Sequence, residues 1–316
     1  MRRFWVVFVI FFFLFSPECY GKAKMKTDEG FKPINDVRIY YKIIGNGEPV
    51  VILHGGPGLG HNYLFPHFKR LAKNYRLIFY DQRSSGRSTG NEKPSNITMD
   101  NFVKDLEGLR RAVAIPKLNI LGQSWGGLLA MNYAIKYPEK LKTLILLESA
   151  GASSEYIPQF NQNVENRLTV KAKEELQRIG FINRHRERIG NSFKKYLFLY
   201  FQAYFYDQHL ANKLYLDYFD DEMARKSLLS SERFAGYLRK YDLFEALKKI
   251  SCPTLIIHGD SDPIPFQQIE RIHQNITGSE FVLLKKCGHF AHIEKSKQCF
   301  DTIENFLSKH AKVGAP

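Results

Sequence analysis

The residues best suited to chemistry surround a serine between two glycines, in the run GQSWG at positions 122–126. A short apolar run, 117–121, precedes this motif, and residues 127–137 follow it with apolar side chains at helical spacing. A serine on such a tight strand-to-helix turn presents its hydroxyl at the edge of a sheet, and the flanking glycines avoid collisions with the neighbouring strand and helix. This context predicts that Ser124 is the nucleophile of a hydrolase.

A carboxylate that would orient a catalytic base follows another apolar strand, at 253–258, which runs into the sequence GDSDP. Asp262 is the preferred candidate, because it lies three residues beyond the glycine that ends the strand and the next residue is a proline that stiffens the loop. Asp260 remains the alternative, although its place beside the strand end favours a role in capping the turn.

The candidate general base follows one more predicted strand, at 280–284. We expect His289 to take this role and His292 and His258 to be packed or surface histidines. An imidazole makes a serine hydroxyl nucleophilic by removing its proton, and a carboxylate fixes the tautomer of that imidazole. Serine, aspartate and histidine also follow one another in the chain order of the α/β-hydrolase fold.

Backbone N–H groups for an oxyanion hole are predicted in a glycine-rich loop near this serine. The apolar strand 49–53 runs directly into HGGPG at 54–58, whose glycines leave backbone N–H groups uncovered. We assign the N–H groups of Gly56 and Trp125 as the two donors, the second because it belongs to the residue after the serine.

Three motifs together resemble one branch of the α/β-hydrolases, the prolyl aminopeptidases or proline iminopeptidases. They are HGGPG at 54–58, DQRSSGRS at 81–88 and SWG at 124–126, and the resemblance extends from about residue 36 to residue 309. It implies an α/β-hydrolase fold, a mostly parallel central sheet flanked by helices with a helical cap insertion. It also implies a serine hydrolase that needs no cofactor or metal and that releases an N-terminal proline or another small apolar residue.

The substrate preference depends on carboxylates in the cap. In the family that the chain resembles, such carboxylates hold the free amino terminus of the substrate, which implies a preference for unblocked peptides. Glu155, Glu165, Glu222 and Glu232 are the candidates here, although for any one of them a solvated surface charge is the preferred interpretation, and the position after Asp262 is a proline. If no carboxylate holds the substrate amine, the alternative is a carboxylesterase or a lipase-like enzyme. A non-catalytic binding protein is a third reading, and the complete set of catalytic elements argues against it.

The DQR run at 81–83 also contains charged side chains at the end of a predicted strand, 76–80. We expect a structural role, in which ion pairs and hydrogen bonds pin the loop beside the HGGPG turn.

The predicted organisation is a hydrolase core at 22–150 and 241–316, interrupted by a helical cap at 151–240. In the core, residues 37–44 are expected to form an antiparallel edge hairpin with the strand at Val50. In the cap, seven aromatic residues lie between 196 and 206, which indicates packing between cap and core, with some rings walling an apolar pocket.

The first 21 residues have the features of a signal peptide, with two arginines, an apolar run from Phe4 to Phe15 and a small residue at Gly21. This pattern predicts cleavage before Lys22 and export to the periplasm or the extracellular space. Lipid attachment at Cys19 is the disfavoured alternative.

The chain carries a formal net charge of +14, but it contains no nucleic-acid-binding motif and no cysteine or histidine spacing typical of a metal site. A basic surface of this kind suits weak association with anionic membranes or envelope polymers, and a merely solvated surface is the competing interpretation. Short peptides or small molecules are the expected substrates. Three cysteines remain after the predicted cleavage, so no complete disulfide framework is implied.

Overall fold

The computed structural model describes residues 27–90, 92–182 and 188–311 of the 316-residue chain. The predicted signal peptide therefore lies outside the described residues. In the described part, eight strands form one sheet: β1 (Thr27–Ile34), β2 (Val37–Ile44), β3 (Glu48–Leu53), β4 (Tyr75–Tyr80), β5 (Leu118–Gln123), β6 (Leu141–Leu147), β7 (Thr254–Gly259) and β8 (Glu280–Leu284). Their order is β1-β2-β4-β3-β5-β6-β7-β8, with β3 to β8 parallel and β1 and β2 antiparallel to their neighbours.

Helices connect these strands, as the alternation of apolar strands and amphipathic segments predicts. They are α1 (Phe65–Phe68), α2 (Met99–Ala112), α3 (Trp125–Lys136), α4 (Ile157–Arg167), α5 (Val170–Ile182), α6 (Gly190–Gln202), α7 (Asp221–Leu238), α8 (Phe244–Leu247), α9 (Phe266–Asn275), α10 (Ala291–Glu294) and α11 (Ser296–His310). Val50 and Ile52 of β3 pack into the apolar core on one face of the sheet, and Val51 and Leu53 into the core on the other. A strand buried on both faces requires helices on both, which explains why β3 is apolar at successive positions.

The predicted hairpin between residues 37–44 and the strand at Val50 is wrong. β2 pairs with β1 on one side, in a register that sets Phe31 opposite Tyr40, and with β4 on the other. β3 lies between β4 and β5 instead. The turn that joins β1 to β2 has Asn35 at φ 53°, a conformation that asparagine tolerates and that suits a tight hairpin.

The predicted cap region is helical in the structure. In the described residues, no strand of the sheet lies between β6 and β7, and α4 to α7 occupy this interval. α7 is docked on the core, because the buried ammonium of Lys226 donates to the carbonyl oxygens of Gly86 (3.3 Å) and Ser88 (3.0 Å). The predicted domain bounds at 150 and 240 remain a prediction. No helix in the described residues is long and apolar enough to cross a membrane.

Candidate active site

Ser124 sits in a strained turn between β5 and α3. Its backbone has φ 55° and ψ −122°, a region that residues other than glycine rarely adopt and that recurs at functional sites. A Cβ on Gly122 would lie 2.4 Å from the carbonyl oxygen of Gly126, and a Cβ on Gly126 would lie 2.3 Å from that of Leu53. Both glycines are therefore required by close backbone contacts, as the sequence predicts.

His289 and Asp262 are brought together at the same edge of the sheet. Nδ1 of His289 lies 2.8 Å from Oδ2 of Asp262, and Oδ1 of Asp262 accepts a hydrogen bond from the N–H of Ile264 at 2.8 Å. Both side chains are buried. Burial acts to raise the pKa of Asp262, but the nearby charges of His289 and His258 outweigh it and hold the pKa below its usual value. Asp262 is therefore a carboxylate, able to orient the imidazole of His289.

The alternative candidates occupy other positions. Asp260 is exposed and caps the turn after β7, where its Oδ1 accepts a hydrogen bond from the N–H of Cys287 at 3.3 Å. His292 is buried against Phe68, and burial holds its pKa well below the usual value. His258 is buried and its Nε2 lies 3.2 Å from the carbonyl oxygen of Ile264. Neither histidine lines the cavity that contains Ser124 and His289.

The sequence reasoning missed Glu148, the residue directly after β6. Its side chain is fully buried, and Oε2 accepts the N–H of Gly259 at 3.0 Å. Burial, followed by the negative charge of Asp262, raises the pKa of Glu148 well above its usual value, which favours the uncharged carboxyl form beside the Asp262 carboxylate. A glutamate at the carboxyl end of an apolar strand was the available signal.

Glu148, His258 and Asp262 also offer ligand atoms within 4.8 Å of one another, a spacing that a metal ion would fit. The oxygens of Asp262 are already bonded to His289 and to the backbone, and Glu148 carries a proton. Asp262 therefore has hydrogen-bond partners for both oxygens, whereas Oε1 of Glu148 and Nδ1 of His258 have none among the described residues.

The side chain of His54 contacts the predicted oxyanion loop and holds it in place. Burial lowers the pKa of His54 to about 4, so the ring is neutral, with Nδ1 donating to the carbonyl of Gly55 (2.7 Å) and Nε2 accepting from the N–H of Gln82 (3.0 Å). The side chain of Gln82 in turn accepts from the indole N–H of Trp125 at 2.9 Å. Gly56 has φ 130°, and neither its N–H nor that of Trp125 has an acceptor among the described residues. The two predicted donors thus lie on segments that Gln82 ties together.

The DQR run is structural, but its charged residues do not pair with each other. Asp81 accepts the backbone N–H groups of His61 and Arg87, each at 2.8 Å, beside the HGGPG turn. Arg83 is buried and forms a two-point ion pair with Asp105, at 2.8 and 3.0 Å. These contacts pin the loop that carries Gln82.

A cavity of about 820 Å³ opens above Ser124 and His289, between the core and the helices α4, α6 and α7. Its wall is largely aromatic and includes Phe160, Phe193, Tyr196, Tyr200, Phe201 and Tyr204. Tyr204 also fixes the base, because its carbonyl oxygen accepts the N–H of His289 at 2.6 Å and its ring packs edge to face on the imidazole. The predicted aromatic wall of the pocket is thus present.

The four glutamates considered as amine anchors do not line this cavity, in agreement with the preferred interpretation that they are surface charges. Glu155 pairs with Arg271, Glu165 with Lys173, and Glu222 with Lys226, and Glu232 is exposed. None of them lines the cavity, and no acidic side chain does so in the part of the chain that the structure describes. They are surface charges. Glu155, Glu165 and Glu222 each pair with a basic side chain outside the cavity.

Comparison with known proteins agrees with this architecture. A model of the alpha/beta hydrolase fold matches residues 48–296. The proline iminopeptidase of Saccharolobus solfataricus is 32% identical over 299 residues, which cover 90% of this chain and 94% of that protein.

Two solved structures share the fold at 22% identity. The proline iminopeptidase of Mycobacterium smegmatis has a TM-score of 0.69 and covers 90% of this chain and 99% of its own. An esterase from Exiguobacterium antarcticum has a TM-score of 0.60 and covers 88% and 98%. The chain therefore belongs to the α/β-hydrolase fold family, in which it is similar to proline iminopeptidases, and it is a serine hydrolase.

Proposed function

We propose that this hydrolase acts through an acyl-enzyme intermediate. His289 takes the hydroxyl proton of Ser124 as its oxygen attacks the substrate carbonyl, and the N–H groups of Gly56 and Trp125 bind the resulting oxyanion. His289 then gives that proton to the leaving group, and water releases the acyl group by the same steps in reverse order. The observation that carries this proposal is the His289–Asp262 pair at 2.8 Å, on the wall of the same cavity as Ser124 in its strained turn.

The first candidate reaction is that of an aminopeptidase that releases an N-terminal proline or another small apolar residue. The name of the Saccharolobus solfataricus relative supports it, at 32% identity over 90% of this chain.

The second candidate is a carboxylesterase of acyl esters. The cavity wall favours it, because the described residues place no carboxylate there to pair with a substrate amine. Among the solved structures with this fold, one is an esterase.

We also propose that the protein is exported and that its basic surface associates weakly with anionic membrane or envelope polymers, from the signal-like segment 1–21 and the net charge of +14. Amino-terminal sequencing of protein from its native host tests the export, and a chain that still begins at Met1 would contradict it.

The mechanism is tested by covalent labelling with a fluorophosphonate. Ser124→Ala is expected to abolish both labelling and turnover. The matched control is Ser231→Ala, because Ser231 lines the same cavity but donates its hydroxyl to the carbonyl of Ser227 at 2.9 Å. Labelling that survives in Ser124→Ala would refute the assignment of the nucleophile. A panel of aminoacyl anilides and short-chain nitrophenyl esters then decides between the two reactions.

A further inference from the structure

We propose that the cavity above Ser124 selects an uncharged, apolar acyl group larger than a single amino-acid residue and does not require a free substrate amine. This inference rests on the proposed acyl-enzyme chemistry and names the substrate class of that site. A hydrolase that follows this rule cleaves N-blocked substrates at least as efficiently as free ones.

The first observation is the charge of the wall. Among the described residues that line the cavity, Arg239 is the one permanently charged side chain; it is exposed at the end of α7 and has no acidic partner in the described part of the chain. An ammonium group entering the cavity would lose its water without gaining a carboxylate and would meet a cation of the same sign. Burying an unpaired charge in this way is strongly unfavourable.

Aromatic faces also attract cations, so the ring packing matters. Tyr196 stacks on Tyr200 with centroids 5.9 Å apart, Tyr200 packs on Tyr204 at 5.4 Å, and Phe201 packs on Tyr204 at 5.3 Å. These contacts join the rings into one surface, and a single cation–π contact does not replace the hydration that a buried ammonium group loses. The wall is therefore suited to an apolar group.

The second observation is size. A cavity of about 820 Å³ lies near the upper end of the range that binds drug-sized ligands, about 300–1,000 Å³. A single proline ring would leave most of this space filled by water against Tyr, Phe and Leu side chains. A longer acyl group would displace that water, and each added methylene is expected to raise kcat/KM about fourfold until the cavity is filled.

The test measures kcat/KM on two matched series of substrates. In the first, nitrophenyl esters run from acetate to octanoate, and we expect an increase of at least tenfold along the series. In the second, prolyl nitroanilide is compared with its N-acetyl form, and we expect the blocked form to be cleaved at least as efficiently as the free one. A flat ester series, or a free amine preferred by tenfold or more, overturns the inference.

A charge placed on the wall provides the matched variant. Asn161→Asp adds a carboxylate at the cavity, whereas Asn166→Asp adds one on the same helix, α4, but outside the cavity. Asn161→Asp is expected to shift the ratio of free to blocked substrate towards the free amine by about tenfold or more, and Asn166→Asp is expected to leave that ratio unchanged.

The proposed preference depends on a cavity wall without carboxylates among the described residues. An equal shift in both variants, or no shift in Asn161→Asp, contradicts that dependence. Fluorophosphonate labelling of wild-type protein distinguishes failure of the acyl-enzyme mechanism from failure of this substrate preference. Absent labelling refutes the hydrolase mechanism, whereas labelling without the expected substrate preference refutes only this inference.

Discussion

Replacing Asp262 by asparagine tests the proposed mechanism most directly, because the change keeps the shape of the side chain and removes its charge. The N–H of Ile264 already donates to Oδ1, so the amide oxygen of an asparagine would stay there and its NH₂ group would face His289. Nδ1 of the imidazole would then have to accept a hydrogen bond, and the ring proton would move to Nε2. In that tautomer the nitrogen that should take the proton of Ser124 is no longer a base.

The size of the effect follows from the distance between the two groups. Attraction between an imidazolium and a carboxylate 2.8 Å apart is about 6 kcal/mol at the effective dielectric constant of about 20 that suits protein sites. Each 1.4 kcal/mol corresponds to about tenfold in rate, so loss of this attraction costs about four orders of magnitude in kcat. The same figure, about 10⁴, applies to the equivalent substitution in chymotrypsin-like enzymes.

The assay is steady-state hydrolysis of the best nitrophenyl ester or anilide, with the unfolding transition of each variant measured to show that it is folded. Asp260→Asn is the matched control, because Asp260 lies on the same loop, is exposed and contacts no histidine in the described structure. It is expected to keep most of the activity. If Asp260→Asn is as damaging as Asp262→Asn, or if Asp262→Asn loses less than tenfold, the assignment of the acid is refuted.

Two further predictions concern buried titratable groups. Glu148→Gln is expected to keep kcat within about threefold, because a glutamine keeps an uncharged polar group beside Asp262 and an acceptor for the N–H of Gly259. Glu148→Ala, which leaves that N–H without its acceptor, is expected to lose more, and equal kinetics in both variants would contradict a positioning role. Buried His54 has a pKa of about 4 in the folded chain and about 6.5 in the unfolded one, so the unfolded state binds more protons between these values. The free energy of unfolding should therefore fall by up to about 3 kcal/mol as the pH drops from 6.5 to 4, which urea titrations at several pH values would detect, and a flat profile would count against it.

Much of the candidate site follows from the sequence, because backbone geometry places the loops. The carboxyl ends of neighbouring parallel strands meet at one edge of a sheet, and β3, β5, β7 and β8 end in the loops that carry Gly56, Ser124, Asp262 and His289. Glycines with no room for a Cβ, such as Gly122, mark these close approaches in the sequence itself. Apolar strands, glycines at close contacts and the order of the catalytic residues along the chain can all be read from one sequence, so these features are predictable.

Features that depend on tertiary packing were not predictable in this way. The pairing of β1 with β2 was missed because the sequence of β1, TDEGFKPI, is polar and contains Pro33, which is typical of an edge and weakly marked as a strand. Glu148 escaped notice because only the folded sheet shows that its carboxyl is buried against Asp262. The sequence could not select among the candidate amine anchors for a related reason, since a charged residue on a helix has the same sequence signature whether it faces a cavity or solvent.

The contacts of Glu222 show what this carboxylate does on the cap helix α7. Lys226 is buried where α7 meets the core, and its ammonium binds the carbonyls of Gly86 and Ser88 and, at 2.7 Å, the carboxylate of Glu222. Glu222 lies one turn earlier on the same helix, so its charge compensates a buried cation that holds the cap in place. A carboxylate bound to that lysine cannot also pair with a substrate amine. Glu222 therefore belongs to the contacts that dock α7 on the core.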